Sequence, residues 1–514
     1  MPRYAAIDIG SNTVRMEAAD VTGDGPPRIL ASERQVTRLG EGVFRNGRIA
    51  PQAIEELCGV LRNMAAIYKR LDVAGVRAVA TAAVRDAANQ KEFVTRTSEA
   101  IGSPVEVISG QEEARLIHLG VASRWPHSHE RFLIIDIGGG STEIIFSEVG
   151  RMRQAFSRPL GALRVNEMFL RTDPPRATDI HRMEEYIQER IAPAIRKIDS
   201  ARIDRVIATS ATASAVVCAV NRIPRARRDE ADRRKATTVQ VRKLYREIST
   251  LDLKARQAMT GIGPRRAEII IPGAAVLLRL LEALNMQSVY YSAAGVRDGI
   301  IADLAARGVG GELSRLSAEE REVVEAMAIR FAVPMRHARK IAKLANDLFS
   351  GFADTHKLPR HCGKLLEAAA YLRDVGHYVS DTRHHKHSYY LVANSDLPGF
   401  TRMEREIIAN LCRYHRKATP AAEHGNLLQM DTESRHAITL LMPLLRLADA
   451  LDRSRGQRIR SVECRVRDSD FQLVLNVPAE TDIDLELWAA ERLGGMFREV
   501  YGKPLALARN SSVS

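Results

Sequence analysis

The clearest hydrophobic pattern of the chain is an apolar run that ends at one acidic residue and is followed by glycines. Residues 133–144 read LIIDIGGGSTEI, with Asp136 after the apolar run and three glycines close behind it. The pattern predicts a buried strand, a tight turn and a second strand. A purely structural hairpin is one interpretation. A phosphate-binding turn is the other, because glycine lets an anion approach the backbone N–H groups closely.

The same pattern occurs again near the N-terminus, where residues 5–16 read AAIDIGSNTVRM. An alignment of the two stretches matches the acidic residue, the first glycine and a hydroxyl residue, which are Asp8 with Asp136, Gly10 with Gly138, and Thr13 with Ser141. A repeated strand–turn–strand unit predicts two similar half-domains that face each other across a cleft. Two such loops would hold one polyphosphate from both sides, and carboxylates beside a phosphate suit Mg²⁺.

The remaining periodicity predicts alternating strands and helices up to the glycine-rich residues 307–311, where we expect a hinge, and mostly helices beyond it. We also expect a small hairpin over 461–477, a final helix over 484–501 and a frayed tail from residue 506. The predicted domains span residues 1–123, 124–306, 312–460 and 461–514.

Composition narrows the class of protein. The 514 residues include 76 Lys and Arg against 63 Asp and Glu, which gives a net charge of +13 and favours a polyanionic partner. The five cysteines are scattered without a CxxC pair, which is typical of a reducing cytoplasm. No apolar run is long enough to span a bilayer, and the N-terminus leads straight into a strand, so we expect neither a membrane span nor a signal peptide.

With these residues, the repeat resembles the exopolyphosphatase and guanosine pentaphosphate phosphohydrolase family, part of the actin, hexokinase and heat-shock chaperone superfamily. The resemblance covers the whole chain and is closest to the long bacterial exopolyphosphatase form. It implies an α/β fold of two actin-like (ribonuclease H-like) half-domains facing across a cleft, then an all-helical HD-like domain and a small C-terminal α+β piece. It also implies a cytoplasmic homodimer.

The resemblance gives roles to residues that pattern alone leaves ambiguous. Glu112 and Glu113 lie in the first turn of a predicted helix behind Ser109, where acids stabilise the helix dipole and serine caps the helix. In the family the second acid, here Glu113, is the general base, which leaves Glu112 as the helix-end acid. Arg85 follows a predicted strand, and it is either a phosphate contact, as the resemblance implies, or a surface arginine.

The main hypothesis is therefore a Mg²⁺-dependent exopolyphosphatase, with Mn²⁺ as an alternative ion, that releases orthophosphate processively from inorganic polyphosphate. Its metal would be held by Asp8, Asp136 and Glu143, directly or through water. Its phosphates would contact the two loops, formed by Gly10, Ser11, Asn12, Thr13, Gly138, Gly139, Gly140, Ser141 and Thr142. Ser210 and Thr212 are further phosphate contacts, although alanines there replace glycines common in the family.

The helical half contains a cluster of histidines and basic residues. Arg373 stands where an HD phosphohydrolase has its metal-binding histidine, so we predict no metal at that position. His384, His385, His387 and His415 suggest either a metal cluster or part of a basic channel. We favour a channel for polyphosphate, lined by Arg383, Lys386, His387, Arg416 and Lys417. The arginine-rich residues 221–235 are expected to form a flexible, solvated loop.

Three other functions compete with this hypothesis. Hydrolysis of guanosine pentaphosphate to the tetraphosphate would use the same catalytic residues. An actin-like sugar kinase fits the paired loops, but the QEEAR motif and the helical half argue against it. A nucleic-acid binder is suggested only by charge, and no aromatic stacking run or RNA-binding signature supports it.

Overall fold

The computed structural model describes residues 2–21, 27–125, 130–199, 202–309, 314–421, 423–428, 430–479 and 481–512. It divides the chain into two compact units, Met1–Val309 and Gly310–Ser514. Part of the hinge predicted over 307–311 lies outside the described residues. No helix in the described ranges combines the length and the apolar character needed to cross a membrane.

Eleven of the fourteen strands in the described residues belong to the first unit. They are β1 (Arg3–Ile9), β2 (Thr13–Asp20), β3 (Arg28–Val36), β4 (Gly75–Ala80), β5 (Val105–Val107), β6 (Arg131–Ile137), β7 (Thr142–Glu148), β8 (Arg151–Arg158), β9 (Arg205–Thr209), β10 (Lys235–Thr237) and β11 (Ser288–Tyr291). They form two sheets, with the orders β3-β2-β1-β4-β5 and β10-β11-β9-β6-β7-β8.

The helices of this unit connect the strands and cover the sheets. They are α1 (Val43–Asn46), α2 (Pro51–Arg70), α3 (Ala82–Asp86), α4 (Gln90–Ile101), α5 (Gly110–Arg124), α6 (Ala162–Phe169), α7 (Ala177–Ile195), α8 (Ser210–Val220), α9 (Thr238–Thr250), α10 (Leu253–Ala258), α11 (Pro264–Ala267), α12 (Ile270–Ala283) and α13 (Val296–Val309). A 3₁₀ helix, Arg225–Ala231, lies within the segment that we expected to be a flexible loop, so that expectation was wrong in its secondary structure.

The two sheets confirm the duplication that the loops predicted. In each, an antiparallel hairpin pairs with a third antiparallel strand on one side and a parallel strand on the other. The registers match as well, because Asp8 lies opposite Arg15 and Asp136 lies opposite Glu143 at the same position of each hairpin. The unit is therefore an α/β fold of two halves with the same strand arrangement.

Buried apolar residues pack on both sides of each sheet and stabilise the two halves. One core packs the first sheet against α2 and α4, and a larger one packs the second sheet against α7, α8, α9 and α12. Helices α5 and α13 contact each other between the sheets so closely that a Cβ at Gly299 would lie 1.8 Å from the Leu116 carbonyl oxygen. A side chain there would force the helices apart, which fixes the position of the helix that carries Glu113.

The second unit is mainly helical, as the periodicity predicted. Its helices are α14 (Ala318–Arg330), α15 (Met335–Gly351), α16 (Ala353–His356), α17 (His361–Leu372), α18 (His384–Ala393), α19 (Arg402–Tyr414), α20 (Thr432–Ala450), α21 (Asp484–Glu491) and α22 (Gly494–Tyr501), with a 3₁₀ helix at Val375–Tyr378. Strands β12 (Ser461–Val466) and β13 (Phe471–Pro478) form the predicted hairpin.

Two predictions for the end of the chain were wrong. Residues 506–512 do not form a frayed tail, because β14 (Leu505–Ser512) pairs in parallel with β13 and completes a three-stranded sheet; residues 513–514 lie outside the described residues. Apolar side chains such as Leu505 and Leu507 pack against the helical core, which explains why the strand is held. The expected single helix over 484–501 is divided into α21 and α22.

Candidate functional site

The two predicted phosphate loops meet across a shared cavity of about 440 Å³. Each turn is closed by the same hydrogen bond: the Gly10 N–H donates to the Thr13 carbonyl at 3.1 Å, and the Gly138 N–H donates to the Ser141 carbonyl at 3.0 Å. The loops also contact each other, because a Cβ at Gly140 would lie 2.8 Å from the Ser11 hydroxyl oxygen. Glycine is therefore required at this position by the approach of the opposite loop.

Carbonyl groups of both loops are turned toward the protein. The Ser11 carbonyl accepts from the Gly40 N–H at 2.6 Å, and the Asn12 carbonyl accepts from two N–H groups of the following segment. In the second loop, the Gly138 and Gly139 carbonyls accept from N–H groups at the start of α6. With these carbonyls engaged, the loops are arranged to offer N–H groups to an anion in the cavity.

Four carboxylates come together at the base of the cleft. Asp8, Glu113 and Asp136 line the cavity, and Glu143 lies buried beside them, accepting a hydrogen bond from the Ser157 hydroxyl at 2.8 Å. Burial and the neighbouring Glu113 raise the pKa of Asp136 to about 7, and burial with the same neighbour raises the pKa of Glu143. A group of acids that suppress one another's ionisation is a site for a cation.

Glu113 is aimed into this group by the first turn of α5. Ser109 caps the helix as predicted, since its hydroxyl accepts from the Glu112 N–H at 3.2 Å. Arg85 does not line the cavity; it donates to a Glu113 carboxylate oxygen at 3.3 Å and to the Ile108 carbonyl at 2.9 Å. Burial raises the pKa of Glu113 to about 7, while the charge of Arg85 opposes that rise.

Glu112 has a different environment from its neighbour in sequence. It accepts hydrogen bonds from Arg77 at 3.0 Å and from Arg115 at 2.8 and 2.9 Å, and both arginines also contact Asp303 on α13. The pKa of Glu112 is lowered because the charges of Arg115 and Arg77 outweigh its burial. Glu112 is thus part of a buried ionic network, which its expected role as a helix-end acid did not include.

Sequence reasoning missed the basic side of the cavity. Six arginines from four separate segments form what we call the arginine wall: Arg34, Arg225, Arg228, Arg265, Arg266 and Arg297. Desolvation, together with Arg15 and other arginines of the wall, lowers the pKa of Arg34 to about 9. Desolvation and Arg15 lower the pKa of Arg266 to about 10. Such crowding of like charges is stabilised by an anionic ligand.

Arg15 was also missed, although the repeat contained the signal for it. The alignment of residues 5–16 with residues 133–144 already places Arg15 on Glu143, and the structure puts each opposite the aspartate of its hairpin. Arg15 lines the cavity, and its charge offsets part of the rise in the pKa of Asp136.

Two predicted phosphate contacts lie outside the cavity lining. The buried Thr142 hydroxyl donates to the Leu160 carbonyl at 2.8 Å, and the buried Thr212 hydroxyl donates to the Ile137 carbonyl at 3.2 Å. Thr212 also accepts from Arg266 at 3.3 Å, so it contacts a residue of the arginine wall. Ser210 does line the cavity, at a positive φ of 79°, with its hydroxyl donating to the Ile137 carbonyl at 2.8 Å.

The residues of the predicted polyphosphate channel belong to the second unit. Arg383, Lys386, Arg416 and Lys417 are exposed, and His387 is half-buried on α18. Arg416 and Lys417 contribute to lowering the pKa of the nearby His385 to about 4, after burial and two neighbouring histidines. A channel for polyphosphate over these side chains stays a prediction.

Comparisons with known proteins agree with this geometry. Residues 18–307 match the Ppx/GppA phosphatase family and residues 320–492 match Ppx/GppA phosphatase, domain III. The Guanosine-5'-triphosphate,3'-diphosphate pyrophosphatase of Vibrio vulnificus is 26% identical over 492 residues, which are 95% of each chain.

Two solved structures match about three-fifths of the chain. The Aquifex aeolicus Ppx/GppA family member is 27% identical, with a TM-score of 0.53 over 60% of this chain and 99% of that chain. An exopolyphosphatase-like protein is 28% identical, with a TM-score of 0.57 over the same shares of the two chains. The chain belongs to the Ppx/GppA phosphatase family, whose members hydrolyse phosphoanhydride bonds.

Proposed function

We propose that this phosphatase removes the terminal 5'-phosphate of guanosine pentaphosphate in a Mg²⁺-dependent reaction. The observation that carries the proposal is a single cavity with phosphate loops and carboxylates at its base and the arginine wall along its side. A ligand that fills it needs a polyphosphate for the loops and further negative charge for the arginines. Guanosine pentaphosphate offers both, because its 5'-triphosphate and its 3'-diphosphate are separate anionic groups.

The donor atoms of the carboxylate group fit Mg²⁺. Asp8, Asp136 and Glu143 offer only oxygen, which this hard cation prefers. Among the described residues, no three of these carboxylates bring oxygens within 4.8 Å of one another. This spacing fits an ion that keeps several waters, as Mg²⁺ usually does. When bound there, the ion would offset the negative charge of the phosphoryl oxygens.

Glu113 is the residue best placed to activate the attacking water. Its carboxylate lines the cavity beside the loops, and a pKa of about 7 lets it accept a proton near neutral pH. Arg85 holds one carboxylate oxygen, which orients the side chain and favours its ionised form. The loops would bind the terminal phosphate and align it with the water, so that positioning and a general base together lower the barrier.

The choice of nucleotide over polymer reverses the ranking made from the sequence. The Vibrio vulnificus relative, which spans almost the whole chain, bears the name of a guanosine pentaphosphate pyrophosphatase. Exopolyphosphatase activity is the second candidate, supported by the exopolyphosphatase-like structure that matches 60% of this chain. The exposed basic residues of the second unit would suit a long anion better than a nucleotide.

Initial rates of phosphate release from the two substrates test this proposal. At equal concentrations of terminal phosphate, we expect kcat/KM to be at least about tenfold higher for guanosine pentaphosphate than for long-chain polyphosphate. A higher value for the polymer would reject the proposed substrate and support the second candidate. Release from neither substrate would reject both.

Variants of the 3₁₀ helix sharpen this test. Replacing Arg225 and Arg228 together by methionine should raise KM for the nucleotide by roughly 10–100-fold, because each removes a charge-assisted contact. Arg227→Met on the same helix is the matched control, since Arg227 pairs with Glu230 at 2.9 Å and does not line the cavity. Equal effects of the double variant and the control would contradict a role of the arginine wall in binding.

Homodimerisation stays a prediction.

A further inference from the structure

We propose that the second unit contains a binding site for one divalent transition-metal ion, formed by Asp374, His377, His384 and His415. This site belongs to the second unit, and it differs from an HD site because Arg373 stands at the position of the HD histidine and three other histidines accompany Asp374. The proposal rests on three donor atoms that lie within 4.8 Å of one another, on a fourth, His415 Nε2, close to two of them, and on the hydrogen bonds that orient the rings.

Arg373, which stands where an HD phosphohydrolase has its metal-binding histidine, places a side-chain cation among the neighbouring acids and His337. The guanidinium of Arg373, fully buried, donates to His337 Nε2 at 2.7 Å and to Asp449 Oδ1 at 2.9 Å. It also lies 3.2 Å from Asp374 Oδ2. Because Arg373 donates to His337 Nε2, the Nδ1–H of His337 donates to Asp452 at 2.7 Å. These groups are therefore satisfied by Arg373 and need no ion.

The other oxygen of Asp374 faces a different group of ligands. Oδ1 lies 3.8 Å from His377 Nε2 and 3.9 Å from His415 Nε2. His384 Nε2 lies 3.3 Å from His415 Nε2. The ligand atoms of Asp374, His377 and His384 all lie within 4.8 Å of one another. Donors around a tetrahedral ion with bonds of about 2.0–2.1 Å are separated by about 3.3 Å, so only small shifts would complete the site.

Hydrogen bonds fix which nitrogen of each ring is free to bind a cation. The Nδ1–H of His415 donates to the Cys412 carbonyl at 2.7 Å, and that of His384 donates to the Asp381 carbonyl at 3.3 Å. The Nδ1–H of His377 donates to the Asp381 carboxylate at 2.6 Å. With Nδ1 as the donor, the nitrogen of each ring that is left to bind a cation is Nε2, which lies near Asp374. A histidine whose Nδ1–H is held by an oxygen acceptor is the usual arrangement around a protein-bound metal.

The lone pairs of His384 and His415 would repel each other without a cation between them. The two Nε2 atoms lie 3.3 Å apart, while the Nδ1 atom of each ring is engaged with a backbone carbonyl. A positive ion in contact with both nitrogens and with the ionised Asp374 removes this repulsion. Three imidazoles and one carboxylate suit Zn²⁺, Mn²⁺, Fe²⁺ or Co²⁺ better than Mg²⁺.

The surrounding basic residues do not prevent this. The sequence favours an anion channel here, because four basic side chains near the histidines would repel a cation. These are Arg383, Lys386, Arg416 and Lys417. In the structure these four side chains are exposed, so their charges are hydrated and screened by salt. His384 and His415 are buried beneath them, next to the carboxylates of Asp374 and Asp449. His377, with 38% of its side chain exposed, leaves a path for the ion to enter.

The test is a Co²⁺ titration of the full-length chain after treatment with a chelator. We expect one equivalent of Co²⁺ to give the intense visible absorption of a four-coordinate ion with nitrogen ligands. The carboxylates of the cleft offer only oxygen and would give weak bands, and the Asp136→Asn variant removes their contribution. No intense absorption in the wild-type chain, with Co²⁺ and then Zn²⁺ both failing to bind in equilibrium dialysis, would overturn the proposal.

Variants locate the ion. His384→Gln and His415→Gln should each abolish the absorption, and Asp381→Asn should weaken Co²⁺ binding by roughly 10–100-fold through its contact with His377. His436→Gln, an exposed histidine on α20, is the matched control and should bind as the wild type does. If a buried variant fails to fold, His377→Gln at the half-exposed edge of the site replaces it. Unchanged binding in the folded variants would place the ion elsewhere and overturn the assignment.

Discussion

The hairpin of β1 and β2 and the hairpin of β6 and β7 share register, turn hydrogen bond and sheet position, yet they place opposite charges beside their aspartates. Arg15 lies opposite Asp8 in the first, and Glu143 lies opposite Asp136 in the second. A duplicated backbone has therefore become electrostatically asymmetric. We infer that the first hairpin, through Arg15, stabilises the negative charge of the substrate, and that the second supplies two of the three carboxylates proposed to hold the metal.

Glu113 interacts with both hairpins, since the pKa of Glu113 is raised by Asp8 and that of Glu143 is raised by Glu113. Glu113→Gln should show the largest effect, a fall in kcat of about 10²–10⁴-fold, because it removes the general base. Its stability in urea should change little. Initial-rate kinetics and urea unfolding check this, and near-normal turnover would remove Glu113 from the mechanism.

Glu112→Gln is the contrasting variant on the same helix turn. It leaves the buried charges of Arg77, Arg115 and Asp303 less compensated, so the free energy of unfolding should fall by about 3–5 kcal/mol. The folded fraction should keep its dependence on pH and Mg²⁺. Thermal or urea unfolding measures the loss, and an unchanged midpoint would show that the network contributes nothing.

Arg15→Met tests the first hairpin. Loss of its charge should raise KM for guanosine pentaphosphate by roughly 10–100-fold, because an uncharged side chain cannot offset the phosphate. Arg45→Met is a suitable control, since Arg45 is exposed and does not line this cavity. Equal KM values in Arg15→Met and in the control would contradict the role of Arg15 in substrate binding.

Arg85→Met should have the smallest effect and should act through pH. A base must be unprotonated, so activity should rise with pH through about 7, where Glu113 ionises. Removing the positive charge of Arg85 raises the pKa of Glu113, and the midpoint of the rising limb should move upward by roughly one pH unit. Arg85→Lys keeps the charge and should restore most of the profile. A shift to lower pH would contradict this account.

The sequence predicted those features of the fold and the site that depend on a single continuous segment of the chain. The repeat predicted both loops, the facing half-domains and the carboxylates of the second hairpin. The same alignment also contained Arg15. An arginine that alternates with apolar residues along a strand is usually interpreted as the solvent-facing side chain of that strand, so its position in the cavity was overlooked.

The arginine wall could not be predicted, because its members come from segments around residues 34, 225, 266 and 297 that only the folded chain brings together. For the histidines, proximity along the chain was visible, but the hydrogen bonds to Asp381 and Cys412 that orient their rings were not. Those bonds favour a metal site for His377, His384 and His415, while the channel over the exposed basic residues stays a prediction.

The most direct test of the asymmetry is a Mg²⁺ titration of phosphate release by Glu143→Gln and Arg15→Met, measured side by side with the wild type. We expect Glu143→Gln to raise the Mg²⁺ concentration for half-maximal activity by about 10–100-fold, as loss of a group in or next to a metal site does, and Arg15→Met to leave it within about twofold. Equal shifts in the two variants, or a larger shift in Arg15→Met, would contradict the division of labour between the two hairpins.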